Sequence, residues 1–320
     1  MPKKRIILIL SILITVGLLF VLLIQIEIKV LWQKLLTISF PYILLGFIFH
    51  FLAYLFRTLV YKIYFKNDDV SFHYLLSNHF IHNFYNHIIP ANLGELSFPL
   101  LLKKKIPMSK SLSVLIITRL ILLTLTLILF VVSLFSIPEI FTSIQIKESN
   151  SLIILGLLVV VILLMILSRR KLYRIIIKLK DYSFFASISS RFSSFYNKIK
   201  EQVIFSKKIK VLLSVTFYSL MSILCLALYF VTILKGINIS LSIFEIIFVS
   251  SIGLAMIILP IKSIGGFGTF EGSWTIGLLI LGIEKDLAIE GSFIVHIFAL
   301  INVFFLFIIG IIIRHVTKGK

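Results

Sequence analysis

A chain of 320 residues that is 59% apolar and only 14% charged, with a mean hydropathy of +1.12, carries more apolar side chain than a soluble domain can bury. Several apolar runs reach the roughly 18–20 residues a helix needs to cross a bilayer, so the expected class is an all-α polytopic membrane protein. The net charge of +19 gathers in short stretches beside those runs, as anchoring on anionic lipid requires, and nucleic acid is not an expected partner. A single cysteine, Cys225, rules out an internal disulfide.

Lys3, Lys4 and Arg5 precede an unbroken apolar run from Ile6 to Gln25. It is too long for a signal peptide and has no small-residue cleavage pattern, which makes it a first span starting in the cytoplasm. A short polar link, Glu27 to Ser39, leads to a second span at about Phe40–Tyr61, with Arg57 near its inner end. The next stretch, Phe72 to Leu102, is polar for a span: it holds Asn78, His79, His82, Asn83, Asn86 and His87, then Pro90-Ala-Asn-Leu-Gly-Glu95. A span containing Arg119 follows at about Ser111–Phe135, and another at about Leu152–Leu167.

Between Arg169 and Lys210 stand four arginines and eight lysines against Asp181 and Glu201, a bias that belongs in the cytoplasm. Serine and phenylalanine interleaved over Tyr182–Tyr196 fit either an amphipathic surface helix or a solvated loop. Counted from a cytoplasmic start, this basic block falls inside only if Phe72–Leu102 enters and leaves on one face, as a re-entrant hairpin with its tip near Pro90. Spans at about Val211–Leu234 and Leu287–Ile313 then bracket a second hairpin, Ile243–Leu281, broken at Pro260–Glu271, with a short helix at about Gly272–Leu281 and a charged turn at Glu284-Lys-Asp286. The expected plan is about six full spans plus two re-entrant hairpins in a single membrane domain. Its inverted halves would be about 1–150 and 151–320, with both termini cytoplasmic.

Ionisable groups at membrane depth are costly and usually face a partner or a cavity. Here they are Arg57, Glu95, Arg119, Lys262, Glu271 and His296. Two acids and three bases fit Glu–Arg pairing across the hairpins, with positive charge left over for an anion. Snorkelling of Arg57 and Arg119 to headgroups is the structural alternative. Gly265, Gly266 and Gly268, placed just before a half-helix starting near Phe270, permit positive φ and leave free N–H groups at a positive dipole end, a geometry that suits an anion. The same glycines could instead serve close packing alone. The spacing of His79 and His82 invites a metal, yet no Cys or His-Glu-x-x-His motif supports one, so neither metal nor cofactor is expected.

Asn86-x-x-x-Pro90-x-x-x-Gly94-Glu95, Arg119 at the start of a span, and Pro260…Gly265-Gly-Phe-Gly268-x-x-Glu271 resemble the flippase-like transmembrane region of lysylphosphatidylglycerol synthases and its stand-alone relatives. The resemblance spans roughly Ile6–Ile313. In full synthases a soluble aminoacyl-transfer domain follows. Here the chain stops at Lys320, so the resemblance implies lipid handling without synthase activity and removes tRNA as a partner. Phe98 replaces the arginine of the family's Gly-Glu-x-x-Arg, and Thr118 and Leu122 replace the acids of Glu-Arg-x-x-Asp. Loss of those charges points to a different lipid or a different ion-pair arrangement.

The leading expectation is a lipid flippase-like transporter of the cell membrane that acts on an anionic or polyprenyl-linked headgroup. Arg57, Asn86, Glu95, Arg119, Lys262, Gly265, Gly266, Gly268 and Glu271 would bind it. An intramembrane enzyme on a lipid-linked substrate and a non-transporting scaffold are the alternatives; an enzyme would need an acidic metal pair or a nucleotide site, and neither is visible.

Overall fold

The computed structural model of the chain describes residues 28–89, 93–137, 201–202, 204–205, 208–258 and 264–318. The first expected span, the span at 152–167, most of the basic block and Lys262 lie outside these residues. Among the described residues the structure is all-helical, without strands. The helices are α1 (Ile28–Thr37), α2 (Phe40–Tyr64), α3 (Phe72–Ile88), α4 (Ser97–Leu102), α5 (Met108–Ser136), α6 (Ile209–Lys235), α7 (Ile243–Ile258), α8 (Thr269–Ile280) and α9 (Lys285–Lys318). Short 3-10 turns at Leu93–Leu96 and Ile264–Gly266 sit at the two breaks.

Four helices, α2, α5, α6 and α9, are long and apolar enough to cross a membrane. Their outward faces are apolar, with Leu44, Ile128, Leu213, Phe217, Phe304 and Ile308 exposed, as lipid contact demands. Local signals set the helix ends. Pro41 occupies the first turn of α2, where no N–H is needed. Ser71 Oγ accepts the Tyr74 N–H to start α3. Ser242 and Glu245 exchange backbone and side-chain bonds as a capping box on α7. The stretch expected as a polar link is instead helix α1. Leu31 and Leu35 lie one turn apart and turn toward the core, leaving Trp32 and Leu36 outside.

The central contact is the antiparallel pair α2–α6. Gly236 meets Ile38 and Tyr42, Gly46 admits Ile233, and Ser222 Oγ donates to the Ala53 carbonyl at 2.9 Å. Most helix pairs packed around this one have a counterpart. Helix α3 lies on α9 as α7 lies on α5, and α4 lies on α5 as α8 lies on α9. Likewise α3 packs on α4 as α7 on α8, α2 on α3 as α6 on α7, and α2 on α5 as α6 on α9.

The segment from α3 to α4 returns to its start. The Tyr74 hydroxyl donates to the Leu101 carbonyl at 3.3 Å, and Lys105 Nζ stands 5.4 Å from the Tyr74 ring centre. Asp68, just before α3, accepts from Lys110 in the first turn of α5 at 2.7 Å. Helices α7 and α8 also run antiparallel, with Gly277 against Val249 and Gly253 against Ser273. The end of the molecule marked by Asp68 gathers Lys62, Lys66, Lys103, Lys104, Lys105, Lys110, Lys208 and Lys210 against Asp68, Asp69 and Glu201. At the opposite end Lys34 of α1 forms an ion pair with Glu290 of α9.

Candidate functional site

Two acid–base clusters sit on the hairpin returns. In the first, the 3-10 turn places Glu95 so that its Oε1 accepts from Asn86 Nδ2 at 3.0 Å and from Arg119 Nη2 at 2.5 Å. Gly94 makes this possible by letting the returning chain lie directly on the end of α3; any side chain there would strike the backbone of Tyr85 and Asn86. His82 Nε2 stands 3.8 Å from the other Glu95 oxygen, and His82 Nδ1 is bonded to Ser97 Oγ at 2.8 Å. One turn earlier, His79 Nδ1 meets Thr58 Oγ1 at 2.8 Å. The Thr58 hydroxyl already donates to the Tyr54 carbonyl, so His79 donates here and its Nδ1 carries the proton. This polar column is walled by Phe98 and Tyr61, whose rings lie 4.5 Å apart.

Arg57 and Arg119 line one small cavity between α2, α5 and α6, together with Tyr61, Thr118, Ser219 and Ser222. Both arginines are half-buried. Arg119 is tied to Glu95, while Arg57 has no hydrogen-bonding or ion-pair partner among the described residues. Among the described residues the two guanidinium groups are met by one carboxylate, that of Glu95, leaving one positive charge in excess. Arg119 Nε and the second Glu95 oxygen are enclosed without hydrogen-bond partners among the described residues. A fork of guanidinium donors fits a phosphate or carboxylate.

The second cluster is dry. Glu271, fully buried in the first turn of α8, accepts the Gly268 N–H at 2.7 Å through Oε2. Its Oε1 meets His296 Nδ1 of α9 at 2.6 Å. His296 Nε2 faces the Gly265 carbonyl at 3.0 Å, and Phe267 and Phe270 pack on the imidazole with ring centres 4.8 and 4.5 Å away. Gly265, Gly266 and Gly268 take φ of 67, 81 and 82°, values that make glycine the natural residue at each. The Ile264–Gly266 turn packs against α3, so the two hairpins touch.

A family model described as the lysylphosphatidylglycerol synthase TM region matches residues 8–310. The chain belongs to that family. Comparison with curated proteins and with solved structures gave no match. The chain is therefore a multi-pass membrane protein of the lysylphosphatidylglycerol synthase TM family.

Of the residues singled out in this family member's sequence, the structure brings together Arg57, Asn86, Glu95 and Arg119, and separately Gly265, Gly266, Gly268 and Glu271. Lys262 lies outside the described residues. Glu271 is bonded to a histidine rather than to an arginine. Phe98, which stands where the family pattern has arginine, is fully buried in an apolar cluster with Tyr61, Leu102 and Val114. Thr118 turns its hydroxyl back to the Val114 and Leu115 carbonyls and supplies no charge to the cavity. Sequence reasoning missed Thr58, Ser97, Ser219 and Ser222, small hydroxyl residues scattered through apolar helices that carry no motif. Among the described residues no three His, Cys, Asp or Glu side chains converge as a metal site would require.

Proposed function

We propose that this protein moves a lipid with an anionic or phosphate-bearing headgroup between the leaflets of the cell membrane. The observation that carries the reading is the cavity shared by Arg57 and Arg119, whose charge a single carboxylate leaves unbalanced among the described residues. An arginine at membrane depth costs about 2.5–3.5 kcal/mol, and an anionic headgroup would offset that cost. The acyl chains would stay in the bilayer while the headgroup meets the guanidinium groups in the cavity, which would have to widen from its present volume of about 10 Å³ to admit it.

The matched packing of α2–α5 and α6–α9 about an antiparallel central pair supports an inverted repeat, the architecture of many alternating-access transporters. The closure of Tyr74 on Leu101 supports a first hairpin that enters and leaves the bilayer on one face, and the antiparallel α7–α8 pair supports its counterpart. The lysine-rich end would face the cytoplasm. Membrane lipids are the proposed partners.

The test is leaflet exchange of labelled phosphatidylglycerol in proteoliposomes containing the full chain, with recovery of the label to check that it is chemically unchanged. Arg57→Ala and Arg119→Ala are each expected to slow exchange at least tenfold. Exchange at the unmodified rate in both variants would remove the proposed site. Conversion of the lipid to a new species would replace transport with catalysis.

A further inference from the structure

We infer that Glu271 and His296 form a proton-binding site whose loading is coupled to the movement of the second hairpin tip. It extends the lipid-transport reading by naming a driving ion, and it stands on hydrogen-bond counting. Both ring nitrogens of His296 face oxygen: Nδ1 the Glu271 carboxyl at 2.6 Å, Nε2 the Gly265 carbonyl at 3.0 Å. A carbonyl only accepts, so Nε2 must carry a hydrogen. The Nδ1 contact then needs a second hydrogen, held either by the ring or by the carboxyl. Together the pair holds one proton more than a neutral imidazole beside a carboxylate. Without it, a nitrogen lone pair would point at an oxygen in a site closed to water, a costly arrangement.

That strain has an outlet. The Gly265 carbonyl and the Gly268 N–H, which hold the pair, belong to a turn with three glycines at positive φ. Its glycines give this turn a backbone freedom that other residues lack, and it rests on α3, the helix that ends beside Glu95. Loss of the proton would therefore loosen the tip of the second hairpin where it meets the first.

The matched packing sharpens the point. Arg119 and His296 each lie eleven residues past the first residue of α5 and α9, and each binds the carboxylate of the preceding hairpin return. Arginine keeps its proton in a protein, whereas histidine can release it. The same position thus holds a fixed charge in one half and a removable one in the other.

Among the described residues, titratable groups on the neighbouring elements make contacts of their own. From α6, the Tyr229 hydroxyl donates to the Val295 carbonyl, and His50 of α2 stacks on the Tyr229 ring. From α3, His87 bonds the Asn83 carbonyl. The only acid described on α7 is Glu245, bonded within its own capping box, and Glu290 of α9 pairs with Lys34 of α1. None of these bonds joins the Glu271–His296 pair.

Glu271→Gln copies the protonated carboxyl: its amide can donate to Nδ1 and its oxygen can accept the Gly268 N–H, yet no proton can leave. Exchange of labelled phosphatidylglycerol should run several-fold faster in proteoliposomes under an imposed pH gradient than without one. In Glu271→Gln that ratio should fall to one. A ratio of one in the unmodified protein, or an unchanged ratio in the variant, overturns the proton site while leaving lipid transport standing. A second readout needs no transport. Nitrogen-15 and carbon-13 spectra of the full chain labelled at histidine and glutamate, with His296 and Glu271 identified by His296→Gln and Glu271→Gln, should show the pair losing one proton, from ring or carboxyl, as the pH is raised, a change absent from the His296 ring in Glu271→Gln. A ring and a carboxyl that both stay in one state throughout overturn the inference even if lipid exchange fails altogether.

Discussion

Gly94 is the position where the first hairpin is most sensitive to one added carbon. A Cβ there would lie 2.4 Å from the Tyr85 carbonyl oxygen, 2.5 Å from Asn86 Cα and 2.9 Å from the Asn86 nitrogen. All three are backbone atoms of α3, held in the helical ladder, so they cannot swing aside as a side chain would. Restoring ordinary contact requires the returning chain to retreat by on the order of 1 Å, and overpacking of this kind costs about 1–3 kcal/mol, here toward the upper end. The same shift carries Glu95 away from Arg119 and Asn86, whose bonds of 2.5 and 3.0 Å would stretch toward the limit of hydrogen bonding. At roughly 2 °C per kcal/mol for a chain of this size, Gly94→Ala should lower Tm in detergent by about 6 °C. Gly272 is the matched control. It lies inside α8 with nothing within 4 Å of an added Cβ, so Gly272→Ala should gain about 0.5–1 kcal/mol from helix propensity. Equal Tm for the two variants would refute the close-approach argument.

Gly310 lets α9 lie on α3, its added Cβ falling 3.0 Å from the Ser77 carbonyl oxygen and from Phe80 Cβ; Gly310→Ala should cost about 1 kcal/mol, seen as a smaller drop in Tm than at Gly94. Trp274, buried between Phe230 and Phe270, should be worth about 3–5 kcal/mol against Trp274→Ala in chemical denaturation. Lys104→Cys in a Cys225→Ser background should react with an impermeant thiol reagent only from the cytoplasmic side of intact cells. Labelling from outside would invert the proposed orientation.

The breaks were legible because proline and clustered glycine have few uses inside apolar runs: Gly94 after Pro90, and Gly265-Gly266 after Pro260, marked the two interruptions between helices without any knowledge of packing. Glu95 and Glu271 were legible for a similar reason, since a carboxylate in such a run needs a partner. The partners were harder to read. Arg57 and Arg119 line the same cavity because α2 and α5 meet across α6, a tertiary relation with no local signature. Glu271 was expected beside an arginine, but among the described residues its basic partner is His296, 25 residues further on and held by the α8–α9 contact. Helix α1 escaped notice because its ten residues mix Lys29, Gln33 and Lys34 with apolar side chains, a pattern that reads as a polar link until Leu31 and Leu35 are seen to face one way.

The two acid–base pairs also predict what exchanging a fixed base for a removable one should do. Arg119 is charged at every pH the protein meets, so binding of anionic lipid by the unmodified cavity should change little between about pH 5.5 and about pH 8. Arg119→His puts a titratable base on the same helix position. With an ordinary histidine value near 6.5, the variant carries the charge at the acid end of that range and loses it as the pH rises. The stabilisation it gives an anion is therefore present at low pH and lost toward high pH. Phosphatidylglycerol binding, measured on the full chain in detergent, should weaken roughly tenfold across the range, the equivalent of about 1.4 kcal/mol. The cavity is half-buried rather than sealed, so the smaller side chain can be accommodated by water. Binding that stays flat and as tight as in the unmodified protein would mean that the Arg119 charge serves Glu95 alone, leaving Arg57 as the cation that meets the lipid.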